Sequence, residues 1–175
     1  AIHWPYTSEE IASGNPAARE LKSYNNAENF FETAITRTNN ISIQDNTEKI
    51  DYRLSLSNMK HEGYIPNSDL DRKTISLNSS VKLTDNFTVS STINFTKSGS
   101  NSRPAGNRGA NPIQALYEIG PQVNILDMKD YWLPGYEGLV QNSPFTFGDD
   151  ATDTEFNNPY FLANEALNSF DRNRV

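Results

Sequence analysis

Ile50-Asp51-Tyr52-Arg53-Leu54-Ser55-Leu56-Ser57 sets an apolar residue against a polar one at every step. A strand points successive side chains to opposite faces, whereas a helix would bring its apolar residues together three and four apart. The stretch therefore reads as a strand with one apolar and one polar face. The same dyad continues on both sides of it. Upstream, Ile41 and Ile43 alternate with Ser42 and Gln44. Downstream, Ile75, Leu77, Val81 and Leu83 stand against Thr74, Ser76, Asn78, Ser80 and Lys82, and Phe87, Val89, Ile93 and Phe95 against Thr88, Ser90, Thr92, Asn94 and Thr96. Four successive antiparallel strands are expected between Arg37 and Thr96.

An apolar face must meet an apolar medium. In a soluble sandwich that medium is a second sheet or a helical layer of the same chain. In an outer-membrane barrel it is lipid, and the polar face lines a lumen. Here the strands come as one block and most of the remainder is loop-like. Four strands do not close a barrel, and the outer strands of the block would keep unpaired edges. The residues predict a mainly β fold, an antiparallel meander, and leave two settings open: an arc of a transmembrane β-barrel with long, partly helical extracellular loops, which the family resemblance given below implies, or a soluble secreted β-rich glycan-binding module whose apolar faces are covered by the flanking segments.

The connections differ in length. Asp45-Asn46-Thr47 and Asp85-Asn86 are expected as tight turns, because Asn and Asp tolerate positive φ and bond nearby backbone. The link from Lys60 to Asp71, with Gly63, Pro66 and Asn67, is longer. Alternate connections of a meander fall on opposite rims, so the short turns share one rim and the long links the other. Outer-membrane barrels segregate their periplasmic turns and outer loops in this way.

Residues 1–34 are expected as a loop segment with short helices, extracellular in the barrel setting, Ser8 capping one and Asn15-Pro16 opening another. Residues 35–97 hold the four strands. Residues 98–168 form a long extracellular loop with a short helix near 112–119, opened by Asn111-Pro112 and closed at Gly120-Pro121. Residues 169–175 start the next strand. Ala1 follows no Met or signal-peptide pattern, and Asp171-Arg172-Asn173-Arg174 reads as a strand beginning, so the chain is expected to be a piece of a longer protein.

Composition narrows the chemistry. The chain has 175 residues, a formal net charge of -7 and no cysteine, which removes disulfides, thiolate metal sites and cysteine nucleophiles. The acidic balance and the lack of a clustered basic surface argue against nucleic acid as a partner. No run of about 18 apolar residues is present, so no spanning helix is expected, whereas a barrel strand needs only about 9 to 11 residues, half of them apolar.

Several stretches resemble the barrel of SusC/RagA-type TonB-dependent transporters. They are Tyr52 to Met59, Glu62-Gly63, Pro66 to Arg72, Val81 to Val89, Ser100 to Arg108, Asn157-Asn158-Pro159-Tyr160 and Phe170 to Val175. The likeness covers roughly Asn29 to Val175 and lies in the order and spacing of the stretches. It implies a large barrel in the outer membrane of a Gram-negative bacterium of Bacteroidetes type, importing oligosaccharides or oligopeptides for nutrient uptake. A SusD-like surface lipoprotein would lid it, and TonB would drive it through a plug that lies outside this chain. One departure is the first turn, Gln44-Asp45-Asn46-Thr47, where the family pattern leads one to expect a Gly-Gly pair; Asn46 can replace a glycine at positive φ.

On this reading Asp51, Arg53, Ser55, Ser57, Asn78 and Lys82 face the lumen. No catalytic constellation, metal site or cofactor is expected, and the chain is not read as an enzyme. His3 and His61 lack partners at ligand spacing. Asp149, Asp150, Asp153 and Glu155 fit no calcium-loop spacing and read as a solvated loop. Arg103 and Arg108, flanking Gly106, read as a structural loop before an anion site. Tyr131, Trp132, Tyr136, Phe145 and Phe147, with Phe156, Tyr160 and Phe161, are candidates to stack on substrate or touch the lid. The reading preferred over substrate stacking is that they form the loop's own small core or its contact with the lid.

Overall fold

The computed structural model describes residues 22–107, 109–143 and 156–175. In chain order the elements are α1 (Asn26–Phe30), β1 (Ile35–Asn46), β2 (Ile50–Glu62), β3 (Asp69–Thr84), β4 (Phe87–Pro104), α2 (Pro112–Glu118), a 3-10 turn (Ile125–Met128), α3 (Pro159–Asn164) and β5 (Leu167–Arg174). They fall into two compact units. One takes its described residues from 1–33, 64–68 and 102–168, the other from 34–63, 69–101 and 169–175. The helices anticipated at Ser8 and Asn15-Pro16 lie outside the described residues.

The second unit is a five-stranded antiparallel meander in the order β1-β2-β3-β4-β5, not closed. Its register follows the dyad. Ile43, Leu54, Leu77 and Ile93 lie side by side across four strands, and so do Ile41, Leu56, Ile75 and Phe95. One residue along, Ser42, Ser55, Ser76 and Asn94 occupy the other face. A slip of one residue would turn every apolar side chain over, which is why a two-faced sequence pins its own pairing.

The apolar face is a band with a limit. From Phe87 to Phe95 it extends about 26 Å along β4 at a rise of about 3.3 Å per residue, crossed by one row, Asp45, Tyr52, Ser79 and Ser91, in which only Tyr52 is apolar. The next row on the same face is Asn39, Asn58, Lys73 and Lys97, followed by Arg37, Lys60, Asp71 and Gly99. Both faces are predominantly polar from there on, although Met59, Leu70 and Ile35 are exceptions.

Two expectations need correction. The sheet does not end near Thr96: β4 runs on to Pro104 and β5 begins at Leu167, so Ser98 to Pro104 is strand and not loop. The Gly- and Ser-rich composition hid this, because backbone pairing holds the extension. The Asp69 carboxylate accepts from Ser100 Oγ and from the Asn101 N–H, both at 3.1 Å. Gly99 leaves room for the Phe170 carbonyl, which would stand 3.1 Å from a Cβ there.

The second correction concerns the turns. Asn46 stays in β1 opposite Asp51, and the reversal is made by Thr47 to Ile50, with the Thr47 N–H on the Ile50 carbonyl at 2.7 Å and the Ile50 N–H on Thr47 Oγ1 at 3.0 Å. Among the described residues the one non-glycine at positive φ is Asn67, in the long link. Asp85 and Asn86 turn without it, and the register irregularity between Lys82 and Thr84 adjoins them. A turn of that kind does not match the strand twist, and a bulge is the usual way to absorb the mismatch.

The first unit has a core of its own. Phe30, Leu116, Ile119, Val123, Ile125, Met128 and Tyr160 are buried together, with Phe31, Ile65 and Tyr131 packed against them. Its helices are short and held by asparagines. Asn111 and Asn158 cap α2 and α3 ahead of Pro112 and Pro159, whose missing N–H groups fall where a helix has no use for them. Asn158 is fully buried and fully used: its Oδ1 accepts from the N–H groups of Tyr160 and Phe161, and its Nδ2 donates to the carbonyls of Met128 and Asn142. Asn26 does the same for the 3-10 turn, donating to the Val123 carbonyl at 2.9 Å and accepting from the Ile125 N–H at 3.1 Å. No described helix is long and apolar enough to cross a membrane, which says nothing of strands.

Candidate functional site

The polar face of the sheet is where the chemistry-bearing residues gather. The register puts Asn46, Asp51, Ser80 and Ser90 in one row and Gln44, Arg53, Asn78 and Thr92 in the next. Together they line an open concavity of about 610 Å³. Asp51, Arg53 and Asn78 are thus brought together. Ser55 and Ser57 follow in the two rows beyond. Lys82 shares the face at the short-turn end, where its Nζ lies 3.0 Å from Asp85.

This concavity offers hydroxyls, amides, one guanidinium and the two carboxylates of Asp45 and Asp51 on rigid strands. Such groups hydrogen-bond to a polyhydroxylated or peptide solute and hold it loosely. The serine hydroxyls meet other hydroxyls, as Ser80 Oγ and Ser90 Oγ do at 3.1 Å. His61 bonds Thr36 Oγ1 at 2.8 Å, linking β1 to β2. Among the described residues no group of three or more His, Asp or Glu could hold a metal ion. The acidic run Asp149, Asp150, Asp153 and Glu155 lies outside the described residues, as do His3 and Arg108.

A second concavity on the same face, of about 310 Å³, escaped the sequence reading. It is lined by Arg72 of β3, Thr74, Thr96 and Ser98, and Arg172 and Arg174 of β5. The signal was in the spacing. Arg172 and Arg174 are two apart, so a strand must carry both on one face.

The aromatic candidates separate. Tyr160 belongs to the core of its unit, stacked edge-on against Phe30 at 5.1 Å. Tyr131, Trp132 and Phe161 form a mutual cluster, with Trp132 and Phe161 edge-on at 5.3 Å, and all three are half-buried. The Tyr131 hydroxyl donates to Glu165 Oε1 at 3.1 Å; burial first, then that carboxylate, pushes the phenol above its ordinary value. Tyr136 stands apart, 51% exposed on a loop whose reversal uses Gly135 and Gly138 at positive φ. Phe145 and Phe147 lie outside the described residues, and Phe156 is half-buried. Packing thus accounts for Tyr131, Trp132, Tyr160 and Phe161, and Tyr136 remains presented to solvent.

The opposite face of the sheet is the more unusual one. Ile41, Ile43, Ile50, Tyr52, Leu56, Ile75, Phe87, Val89 and Ile93 are exposed, from 37% at Tyr52 to 67% at Ile41. An exposed apolar surface of this extent, interrupted only by the row of Asp45, Ser79 and Ser91, marks contact with lipid or with a partner. No protein-family model matches this chain, and no curated protein matches it.

Proposed function

We propose that this chain is an arc of the transmembrane β-barrel of a TonB-dependent outer-membrane transporter of SusC/RagA type, importing oligosaccharides or oligopeptides beneath a SusD-like lipoprotein. The observation that carries this reading is the exposed apolar band, backed on every strand by a polar face. Lipid suits the band, whose length of about 26 Å along a tilted strand approaches the apolar height of an outer-membrane barrel. The open edges suit it too, since β1 and β5 are positions where further strands would pair. The polar concavity would then line the lumen, with Asp51, Arg53 and Asn78 among its wall residues, and Tyr136 would stand among the outer loops, accessible to a lid. TonB would act through a plug contributed by other parts of the protein.

Membrane fractionation of the intact protein in its native host tests the reading. It should sediment with the outer membrane, resist extraction by salt and alkali, and require detergent to remain dispersed. Recovery as a monodisperse, cooperatively folded protein in plain buffer would refute it and return the soluble glycan-binding module.

A further inference from the structure

The concavity formed by Arg72, Arg172 and Arg174 carries a charge pattern the rest of the chain does not explain. In the sheet order β4 lies between β3 and β5. Adjacent strands are about 4.8 Å apart, so arginines on β3 and β5 flank β4 at a distance their long side chains easily span. Beneath them β4 presents Thr96 and Ser98, which pair with Thr74 and Arg72 of β3. Thr74 and Thr96 bring their hydroxyl oxygens to 3.5 Å. The floor is therefore hydroxyl and the rim is guanidinium.

No carboxylate lines this space. Among the described residues none of the three arginines forms an ion pair. The other face of the same strands is arranged differently. There Lys97 is neutralised by Asp171 at 2.9 Å, and Asp69, Asp71 and Lys73 line the same recess. Alternation along β5 sends Asp171 to that face and Arg172 and Arg174 to this one. In a chain of net charge -7, three uncompensated guanidiniums around one space repel one another and favour an anion between them. Guanidinium forks match carboxylate, sulfate and phosphate oxygens two at a time, and hydroxyls complete their hydrogen bonding.

We propose that Arg72, Arg172 and Arg174, with Thr74, Thr96 and Ser98, bind the oxyanion group of a small solute, a sugar or peptide unit bearing a carboxylate or sulfate. The proposal rests on the transporter reading for the solute's route, since the polar face is then the lumen wall, and it narrows the imported class to anionic compounds. The space, about 310 Å³, is at the small end of ligand sites and suits one residue or sugar unit.

The test is calorimetric titration of the intact protein with sodium D-glucuronate, with inorganic sulfate, and with D-glucose as the uncharged counterpart, at two ionic strengths. Glucuronate and sulfate should bind, more weakly at the higher salt, and glucose should not. Arg172→Gln with Arg174→Gln should weaken glucuronate about tenfold or more, the usual worth of a charge-assisted hydrogen bond. Arg172→Lys should recover part of the loss, because it keeps the charge and loses the fork. Arg37→Gln, on the opposite face, should change nothing. Equal binding of glucose and glucuronate, or an equal loss in Arg37→Gln, would overturn the proposal. So would a wild-type protein that binds no anion while the arginine variants melt at lower temperature, since the arginines would then be clamping a carboxylate of the protein itself. Partition of the same preparation between membrane and buffer reports on the transporter reading alone, so the two failures are told apart.

Discussion

Phe30 and Phe87 are the same side chain in opposite circumstances. Phe30 is 1% exposed, packed edge-on against Phe31 and Tyr160 in the core of the helical unit, whereas Phe87 is 57% exposed on the apolar face of the sheet. The helical unit closes on itself with a few short helices and buried asparagines. The sheet, with far more regular structure, has no core. Apolar surface left exposed on this scale, in a chain that buries a phenylalanine elsewhere, teaches that the apolar face of the sheet is built to be covered by something outside this chain, lipid or a partner. The largest expected effect follows from that contrast. Phe30→Ala should destabilise the helical unit by about 3 to 5 kcal/mol, the usual cost of emptying a buried aromatic site. Phe87→Ala should leave that unit untouched. Hydrogen exchange of the intact protein checks both, with faster exchange over 112–128 in the first variant and unchanged exchange there in the second.

The two faces of the sheet give the next effect. Leu54→Arg or Leu77→Arg, on the apolar face, should impede assembly by about 2 to 4 kcal/mol each if their row lies near the bilayer midplane. Ser55→Arg and Ser76→Arg, one residue along, should assemble nearly as well as wild type. The readout is the amount of detergent-extracted, protease-resistant protein in the outer-membrane fraction. Equal yields from the two sets would erase the distinction between the faces.

Much of the sheet was legible because its alternation is a backbone property: a residue two positions away must share a face, whatever its neighbours do. The extension of β4 through Ser98 to Pro104 was not legible, since it has few apolar residues to mark it and is held by Asp69 and by pairing. Helix α3 is written in Asn158-Pro159, the same pair that opens α2 at Asn111-Pro112, although the expectation of a cap falls on Asn111-Pro112 alone. Asn26 carried no signal of any kind. Its partners, Val123 and Ile125, are far away in sequence, and only the folded chain brings them together. The arginine concavity falls between these cases. The parity of Arg172 and Arg174 was readable, but their nearness to Arg72 required knowing that β5 pairs with β4.

Asn158 offers a third, smaller effect, confined to the helical unit. Asn158→Ala removes the cap of α3 and leaves the carbonyls of Met128 and Asn142 without their donor. A lost cap costs about 1 kcal/mol, and buried groups left without partners add to it, so about 2 to 3 kcal/mol is expected. Asn94→Ala, on the polar face of the sheet, should be nearly neutral. Limited proteolysis separates them, with cleavage appearing in 156–164 in the Asn158 variant alone.

The smallest effect is a pH dependence that the helical unit should show through Tyr131 and Tyr160. Both phenols are raised above their ordinary value, Tyr131 by burial and then by Glu165, and Tyr160 by burial and then by the charge of Glu32. A group whose folded value is raised contributes stability in full below its unfolded value, here about 10, and loses it as pH climbs through the folded value. Opening of the helical unit should therefore become easier above about pH 10, because the unfolded chain surrenders these protons first. Tyr131→Phe should flatten part of that rise, and Tyr131→Phe with Tyr160→Phe most of it. Hydrogen exchange is too fast to follow at such pH, so the measurement is denaturant unfolding monitored by near-ultraviolet circular dichroism. A slope unchanged in the double variant would mean that the alkaline transition belongs to other groups, and that these two rings are held by packing alone.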